Sequence, residues 1–114
     1  MPLIHRITEL YKTFYLLGQK IPKRDKFGIQ LKIEQCSLEL LEFVITATFE
    51  ERRNKTETLN SARIKTETLK RLIRAMNDLG IMERKKYFYI ENELVEISKM
   101  ITGWIKYLGI KTPQ

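Results

Sequence analysis

The fold of this chain is decided by the stretch from Phe27 to Phe49, which reads FGIQLKIEQCSLELLEFVITATF. It contains no proline, and its only glycine stands near the start, so it predicts one long helix. A first apolar row recurs at steps of three or four residues and marks one helix face. A second apolar row falls roughly opposite the first, at about 100° per residue. The first row comprises Ile29, Ile33, Cys36, Leu40, Phe43, Val44 and Ala47, and the second comprises Leu31, Leu38, Leu41, Ile45 and Phe49.

A helix with two apolar faces has to be covered on both of them. Helices of a small monomeric bundle usually hide one stripe and expose the other side to water. We interpret the first row as the bundle core and the second row as a contact with another subunit. The alternative is a central helix that its own chain surrounds. Because only four helices are available, we favour the oligomer, with the second row as its subunit interface.

The apolar spacing along the whole chain predicts four helices, over about residues 3–17, 25–51, 55–79 and 83–108. Gly18 and Gly80 are natural helix stops. Asp25 is expected to cap the second helix, and Asn54 with Glu57 is expected to form a capping box at the third. The fold class is therefore all-α, a single antiparallel up-down-up-down four-helix bundle that forms one domain over residues 1–114.

The fourth predicted helix contains an unexplained glycine. Gly103 stands in its interior, where glycine costs about 1 kcal/mol relative to alanine. Close approach of another backbone would account for it. The chain is expected to fray from Lys111 onward.

Length and composition limit the chain to one globular domain. Its 114 residues are 43% hydrophobic and 31% charged, which is typical of a folded helical protein rather than a disordered one. No run of 18 apolar residues occurs, so no membrane-spanning helix is expected. Charges are spaced between the apolar residues of the N-terminus, unlike a secretory signal, so a cytoplasmic location is expected.

Candidate catalytic and metal-binding residues are few. The single cysteine, Cys36, and the single histidine, His5, allow neither an internal disulfide nor a conventional zinc site. Cys36 lies on the apolar row, where a thiol usually acts as a small hydrophobic group, and His5 has no nucleophilic partner at a suggestive spacing. No glycine-rich loop precedes a helix in a nucleotide-binding pattern. We therefore expect no enzymatic activity, no metal and no cofactor.

The charge balance points instead to a polyanionic partner. The net charge is +7, and in a domain of this size such an excess favours nucleic acid. Each basic group below is also compatible with an ordinary solvated helix face. Phosphate contacts by these groups would give strong salt dependence and little sequence preference. The groups are Lys20, Lys23, Arg24 and Lys26 before the second helix, Arg63, Lys70, Arg71 and Arg74 along the third, and Arg84, Lys85 and Lys86 at the start of the fourth.

Three segments of the chain are together similar to a known family. They are residues 21–28 (IPKRDKFG), 69–75 (LKRLIRA) and 97–106 (ISKMITGWIK). With them the chain resembles the four-helix-bundle proteins related to the accessory variability determinant of diversity-generating retroelements. It resembles more distantly the proteins encoded in intervening sequences of 23S ribosomal RNA genes. The likeness extends over most of the chain, from the first helix to Leu108.

The resemblance implies a pentameric ring of four-helix bundles with a basic surface. It also implies association with a reverse transcriptase and with its RNA or DNA template, without catalytic activity of its own. Trp104 would pack the end of the fourth helix against the bundle. Carried over to matching positions, the nucleic-acid-binding residues are Lys23, Arg24, Lys26, Lys70, Arg71, Arg74 and Lys106, and the charged row of the third helix adds Arg63 to them.

Two other functions stay open. The same fold would serve as a protein-interaction scaffold whose charge only maintains solubility. It would also suit a retained orphan of an intervening sequence, with no cellular role. The scaffold predicts a protein partner and no affinity for nucleic acid, whereas the orphan predicts no phenotype on deletion.

Overall fold

The computed structural model of the chain describes residues 1–111, and within that part the chain forms helices and no strand. The four long helices run alternately up and down, and the short α2 lies at one end of the bundle. α3 packs against α1 and α4, and α5 packs against α4 and α1, so the all-α bundle predicted from the sequence is confirmed. The bundle is elongated, with extents of 52 × 21 × 20 Å. The helices are α1 (Pro2–Gly18), α2 (Lys23–Lys26), α3 (Ile29–Phe49), α4 (Arg52–Asp78) and α5 (Arg84–Lys111).

The core is built from one apolar stripe of each long helix. On α3 the first row predicted from the sequence supplies Ile33, Cys36, Leu40, Val44 and Ala47, all of them buried. Each fully buried Ile, Leu or Val side chain contributes about 1.5–3 kcal/mol. On α4 the buried stripe includes one polar residue, Thr66, whose hydroxyl donates a hydrogen bond to the Ala62 carbonyl oxygen of its own helix. The buried residues of the other helices include Leu3, Ile7, Leu10 and Phe14 of α1, Leu59, Ala62, Thr66, Leu69, Ile73 and Met76 of α4, and Ile90, Leu94, Ile97 and Ile101 of α5.

The second predicted helix, over about residues 25–51, is in fact two helices. α2 begins after Pro22 and ends at Lys26, and α3 begins only at Ile29. A side chain at Gly28 would place its Cβ 3.1 Å from the carbonyl oxygen of Arg24, so the joint between α2 and α3 leaves little room for any residue other than glycine. The expectation that Asp25 caps a long second helix is therefore wrong. Asp25 lies inside α2, and its carboxylate contacts the Arg24 guanidinium at 3.5 Å.

The connection between α3 and α4 is shorter than expected. α3 ends at Phe49 and α4 already begins at Arg52, which leaves Glu50 and Glu51 as the link. Glu51 is extended and occupies the N-cap position without a side-chain cap bond. Asn54 therefore lies within the first turn of α4, and the predicted capping box with Glu57 is wrong. The hydrogen bonds at this connection come from a lysine instead. The Lys55 ammonium donates hydrogen bonds to the Ala47 and Thr48 carbonyl oxygens at the end of α3.

The predicted stops at Gly18 and Gly80 agree with the ends of α1 and α4. Gly80 has a φ of +72°, which favours glycine. The Ile81 amide donates to the Met76 carbonyl oxygen at 3.0 Å, and the Gly80 amide donates to the Asn77 carbonyl oxygen at 3.1 Å. This pair of bonds is the Schellman closure of a helix.

The last helix continues further than predicted. α5 includes Lys111, which was expected to fray, whereas residues 112–114 lie outside the described residues. None of the helices in residues 1–111 combines the length and the apolar composition that a bilayer crossing requires.

Candidate nucleic-acid interface

One end of the bundle gathers basic side chains from three elements. Because the long helices alternate in direction, α1 and α4 end there, and α3 and α5 begin there. α2 adds Lys23, Arg24 and Lys26, which are all exposed. Lys20 and Lys86 line one concavity of about 350 Å³ between the end of α1 and the start of α5. The structure thus joins the turn group to the group at the start of the last helix. We call this end the basic end.

The sequence presents the cations that α5 adds to the basic end as a basic group, but the family motifs do not assign them to nucleic-acid binding. Arg84, Lys85 and Lys86 are exposed in the first turn of α5, and no acidic residue accompanies them in that turn. Cations at a helix N-terminus are unfavourable, because the helix dipole is positive there. This unfavourable placement was the signal in the sequence, and the neighbouring Lys20 gives it a structural context.

The basic residues of α4 divide between two surfaces. Arg63 and Arg71 line a concavity of about 400 Å³ on the outer side of α4. Lys70 lines a different one, the groove between α4 and α5, together with Lys106. Arg74 is exposed on the same helix. The α4 residues therefore present cations to two sides of the helix.

The ion pair that Lys70 makes is weak, so this lysine is still available to a ligand. Lys70 contacts the Glu67 carboxylate at 3.1 Å within one helix turn. Exposed ion pairs of this kind are worth about 0–1 kcal/mol and are screened by salt. The bundle itself is tied across helices by Arg6 on α1, whose guanidinium contacts the Glu93 carboxylate on α5 at 3.3 Å.

The second apolar row of α3 is left open by its own chain. Phe49 is 85% exposed, Leu38 is 44% exposed, and Leu31 and Ile45 are exposed to a similar extent. Leu41 differs, because it is partly buried against the core. A helix that is surrounded by its own chain would bury this row, so that alternative does not describe the single chain. Whether a second copy covers the row stays a prediction.

The opposite end of the bundle is organised around Trp104. Its ring is partly buried against the core, and the Lys55 ammonium lies 6.0 Å from the ring centroid. Nearby, the Arg52 guanidinium lies 5.7 Å from the centroid of the Tyr107 ring and donates a hydrogen bond to the Leu108 carbonyl oxygen at 3.1 Å. Trp104 and its neighbours thus fasten the later part of α5 to the start of α4.

The single cysteine and the single histidine lie outside the basic surfaces. Burial raises the pKa of the Cys36 thiol above its usual 9.0, and the thiol contacts the Lys65 carbonyl oxygen at 3.7 Å. His5 is exposed and lies 3.9 Å from the Glu9 carboxylate. Among the described residues, no three side chains of His, Cys, Asp or Glu come together in a group suited to a metal ion.

A family model described as bAvd-like matches residues 1–108 of the chain. The chain belongs to the bAvd-like family. bAvd is the Bordetella accessory variability determinant, so the resemblance stated from the sequence motifs is confirmed. No curated protein matches the chain.

The extent of the bAvd-like match bears on the whole site. It runs from α1 into α5, and it includes the basic end, both concavities of α4 and the open row of α3. The family assignment therefore concerns the same part of the chain that carries the candidate surfaces.

Proposed function

We propose that this chain is a non-catalytic accessory protein of a diversity-generating retroelement. In the cytoplasm it binds the RNA or DNA template and the reverse transcriptase through a basic surface on a homopentameric ring. The observation that carries this proposal is the bAvd-like match over residues 1–108. The role of the chain is to hold the template and the enzyme together, with no reaction of its own.

The distribution of charge supports the nucleic-acid part of the proposal. The net charge is +7, and exposed cations occupy the basic end as well as two sides of α4. α5 alone carries cations from Arg84 to Lys106, a distance of about 33 Å at 1.5 Å per residue. A polyanion as long as RNA can contact several such groups at once, and each phosphate contact releases counterions.

The open row of α3 supports the ring. Leu31, Leu38, Ile45 and Phe49 form an exposed apolar line on a helix whose other face is already in the core. Contiguous exposed apolar surface of this kind marks a protein–protein contact. A second copy of the chain would cover the row with the partly buried Leu41 at its inner edge.

The direct test of the nucleic-acid part is affinity for RNA and for DNA–RNA hybrids at about 50 and 200 mM salt. We expect binding at the lower concentration and a steep loss at the higher one, on the order of 10³-fold or more for six or more phosphate contacts. The triple variant Lys70→Gln, Arg71→Gln, Arg74→Gln should lose most of that affinity. A control variant, Lys12→Gln, Arg53→Gln, Lys65→Gln, removes equal charge outside the basic end and outside both concavities of α4, and it should lose little. Absence of binding by the wild-type chain at 50 mM salt would contradict the proposal.

A second candidate function is favoured by the open row of α3 alone. An exposed apolar line also suits a scaffold that binds only proteins, with the cations serving solubility. In that case the chain would form an oligomer and would bring down a protein partner. Nucleic acid would not bind at either salt concentration.

A further inference from the structure

The groove between α4 and α5 contains the glycine that the chain itself does not explain. Gly103 is exposed in the interior of α5, where glycine is destabilising relative to alanine. A Cβ built on Gly103 would meet no other atom of the described residues within 4 Å. The close approach expected from the sequence is therefore not made by this chain. The space in front of Gly103 is open to a molecule outside the chain.

The side chains around Gly103 indicate the chemistry of that molecule. The groove has a volume of about 330 Å³ and carries cations from both helices. No carboxylate lines it, although Glu67 contacts Lys70 at 3.1 Å and Glu96 contacts Lys99 at 3.7 Å from the flanks. The polar lining consists of Lys70 from α4 and of Ser98, Lys99, Thr102 and Lys106 from α5.

The two hydroxyl groups of the groove are available to a ligand. Helical threonines such as Thr66 and Thr68 donate to the carbonyl oxygen four residues earlier. Within residues 1–111, neither Ser98 nor Thr102 has such a bond or any other hydrogen-bond partner. Each hydroxyl can therefore donate to an anionic oxygen that enters the groove.

The α5 positions of the groove form one stripe along the helix. Val95, Ser98, Lys99, Thr102, Gly103 and Lys106 follow the spacing of three and four residues that keeps side chains on one face. The stripe is about 16 Å long at 1.5 Å per residue. A stripe of this length can contact more than one phosphate of a strand.

We propose that the α4–α5 groove seats the sugar–phosphate backbone of a polynucleotide, with Gly103 as the point of closest approach. Lys70, Lys99 and Lys106 neutralise the phosphates, and Ser98 and Thr102 donate hydrogen bonds to their oxygens. The inference rests on the proposed nucleic-acid binding and assigns it a specific seat. Contacts to the backbone position a strand without reading its sequence, so this seat has little base preference.

The test fills the groove without changing its charge. Gly103→Gln places a side chain where the backbone would pass, and Gly109→Gln is the matched control, since Gly109 is also exposed in α5 with nothing within 4 Å of a Cβ. For an RNA oligonucleotide at about 50 mM salt, we expect Gly103→Gln to weaken binding about tenfold and Gly109→Gln to change it less than about twofold. The solution mass of both variants should equal that of the wild-type chain.

A second variant pair tests the charge contribution. Lys99→Gln is matched by Lys12→Gln, because each lysine is exposed and paired with a glutamate three residues earlier in its helix, at 3.7 and 3.4 Å. Lys99→Gln should reduce the slope of log affinity against log salt by about one, and Lys12→Gln should leave it unchanged.

The remaining outcomes separate the groove from the proposed function. If the wild-type chain binds RNA and both Gly103→Gln and Lys99→Gln bind it equally well, the groove is not the seat of the polynucleotide. Nucleic-acid binding would then lie elsewhere on the surface. A changed solution mass for Gly103→Gln would also overturn the groove, because it would assign Gly103 to a subunit contact. Absence of RNA binding by the wild-type chain would overturn the groove and the proposed function together.

Discussion

At the scale of single residues, Gly80 determines where α4 ends. Its φ of +72° lies in the left-handed region, which costs other residues about 1–2 kcal/mol. We expect Gly80→Ala to lower the free energy of unfolding by about 1 kcal/mol, measured by urea denaturation. Gly109→Ala is the control, because Gly109 is helical and surrounded by open space, and it should be neutral or stabilising. Equal effects of the two variants would contradict the role of Gly80.

Cys36 couples the stability of the fold to alkaline pH. Burial raises the pKa of its thiol above 9.0, so the folded chain keeps the proton longer than the unfolded chain does. The stabilising contribution is therefore complete below about pH 9 and is lost as the pH rises above that value. We expect the stability difference between the wild-type chain and Cys36→Ala to shrink from pH 8 to pH 10 in urea denaturation. A difference that stays constant or grows over this range would contradict the assignment.

At the scale of the element, α3 carries two apolar rows with different tasks. Leu40 in the first row is fully buried, whereas Leu38 in the second is 44% exposed. Leu40→Ala should lower the free energy of unfolding by about 2–5 kcal/mol, through lost burial and a cavity in the core. Leu38→Glu should leave the helical circular dichroism spectrum unchanged and lower the solution mass. A loss of helix in Leu38→Glu would show that the second row belongs to the core of the chain.

The helices and their buried faces could be predicted from the sequence, whereas several of their ends could not. Apolar periodicity decides which face is buried, because burial outweighs local preferences, and the first row of α3 follows it closely. Capping preferences are weaker, on the order of 1 kcal/mol, and packing overrides them. Asp25 and Asn54 are good capping residues, yet both lie inside helices. At Gly28 an added Cβ would lie 3.1 Å from the Arg24 carbonyl oxygen, a proximity that spacing alone does not predict.

The candidate site, like the helix ends, could be predicted only in part from the sequence. Charge and family motifs located the cations of α2 and α4. Spacing on one helix does not tell which neighbouring element a long side chain reaches, and Lys70 lies in the α4–α5 groove while Arg63 and Arg71 lie elsewhere. The nearness of Lys20 and Lys86 depends on how α1 and α5 meet at one end of the bundle.

At the scale of the whole molecule, one chain is an elongated bundle with an uncovered apolar line. The open row of α3 and the cations spread over the basic end, α4 and α5 occur in the same 108 residues that match the bAvd-like family. In a ring of such bundles the cations of several chains would add, because polyanion binding strengthens with the number of phosphate contacts. Dissociation of the ring into single chains should therefore weaken RNA binding even when no cation is removed.

This prediction is tested with Leu38→Glu and Ile45→Glu, which introduce carboxylates into the open row. We expect each variant to bind RNA at least about tenfold more weakly than the wild-type chain at 50 mM salt, in proportion to its loss of mass. Thr56→Glu is the control for the added negative charge, since Thr56 is exposed near the start of α4, at the end of the bundle opposite to the basic end, and lines neither concavity of α4. If a variant that no longer forms the ring kept full RNA affinity, RNA binding would not depend on assembly, and this prediction would be contradicted.

The most direct measurement is the solution mass of the wild-type chain, by light scattering coupled to size exclusion, at low and at high salt. A mass of about five times the 13.6 kDa of one chain at both salts is the predicted result, because apolar contacts do not weaken with ionic strength. A single species at 13.6 kDa would contradict the second row of α3 as a subunit interface, and with it the ring on which the proposed function depends.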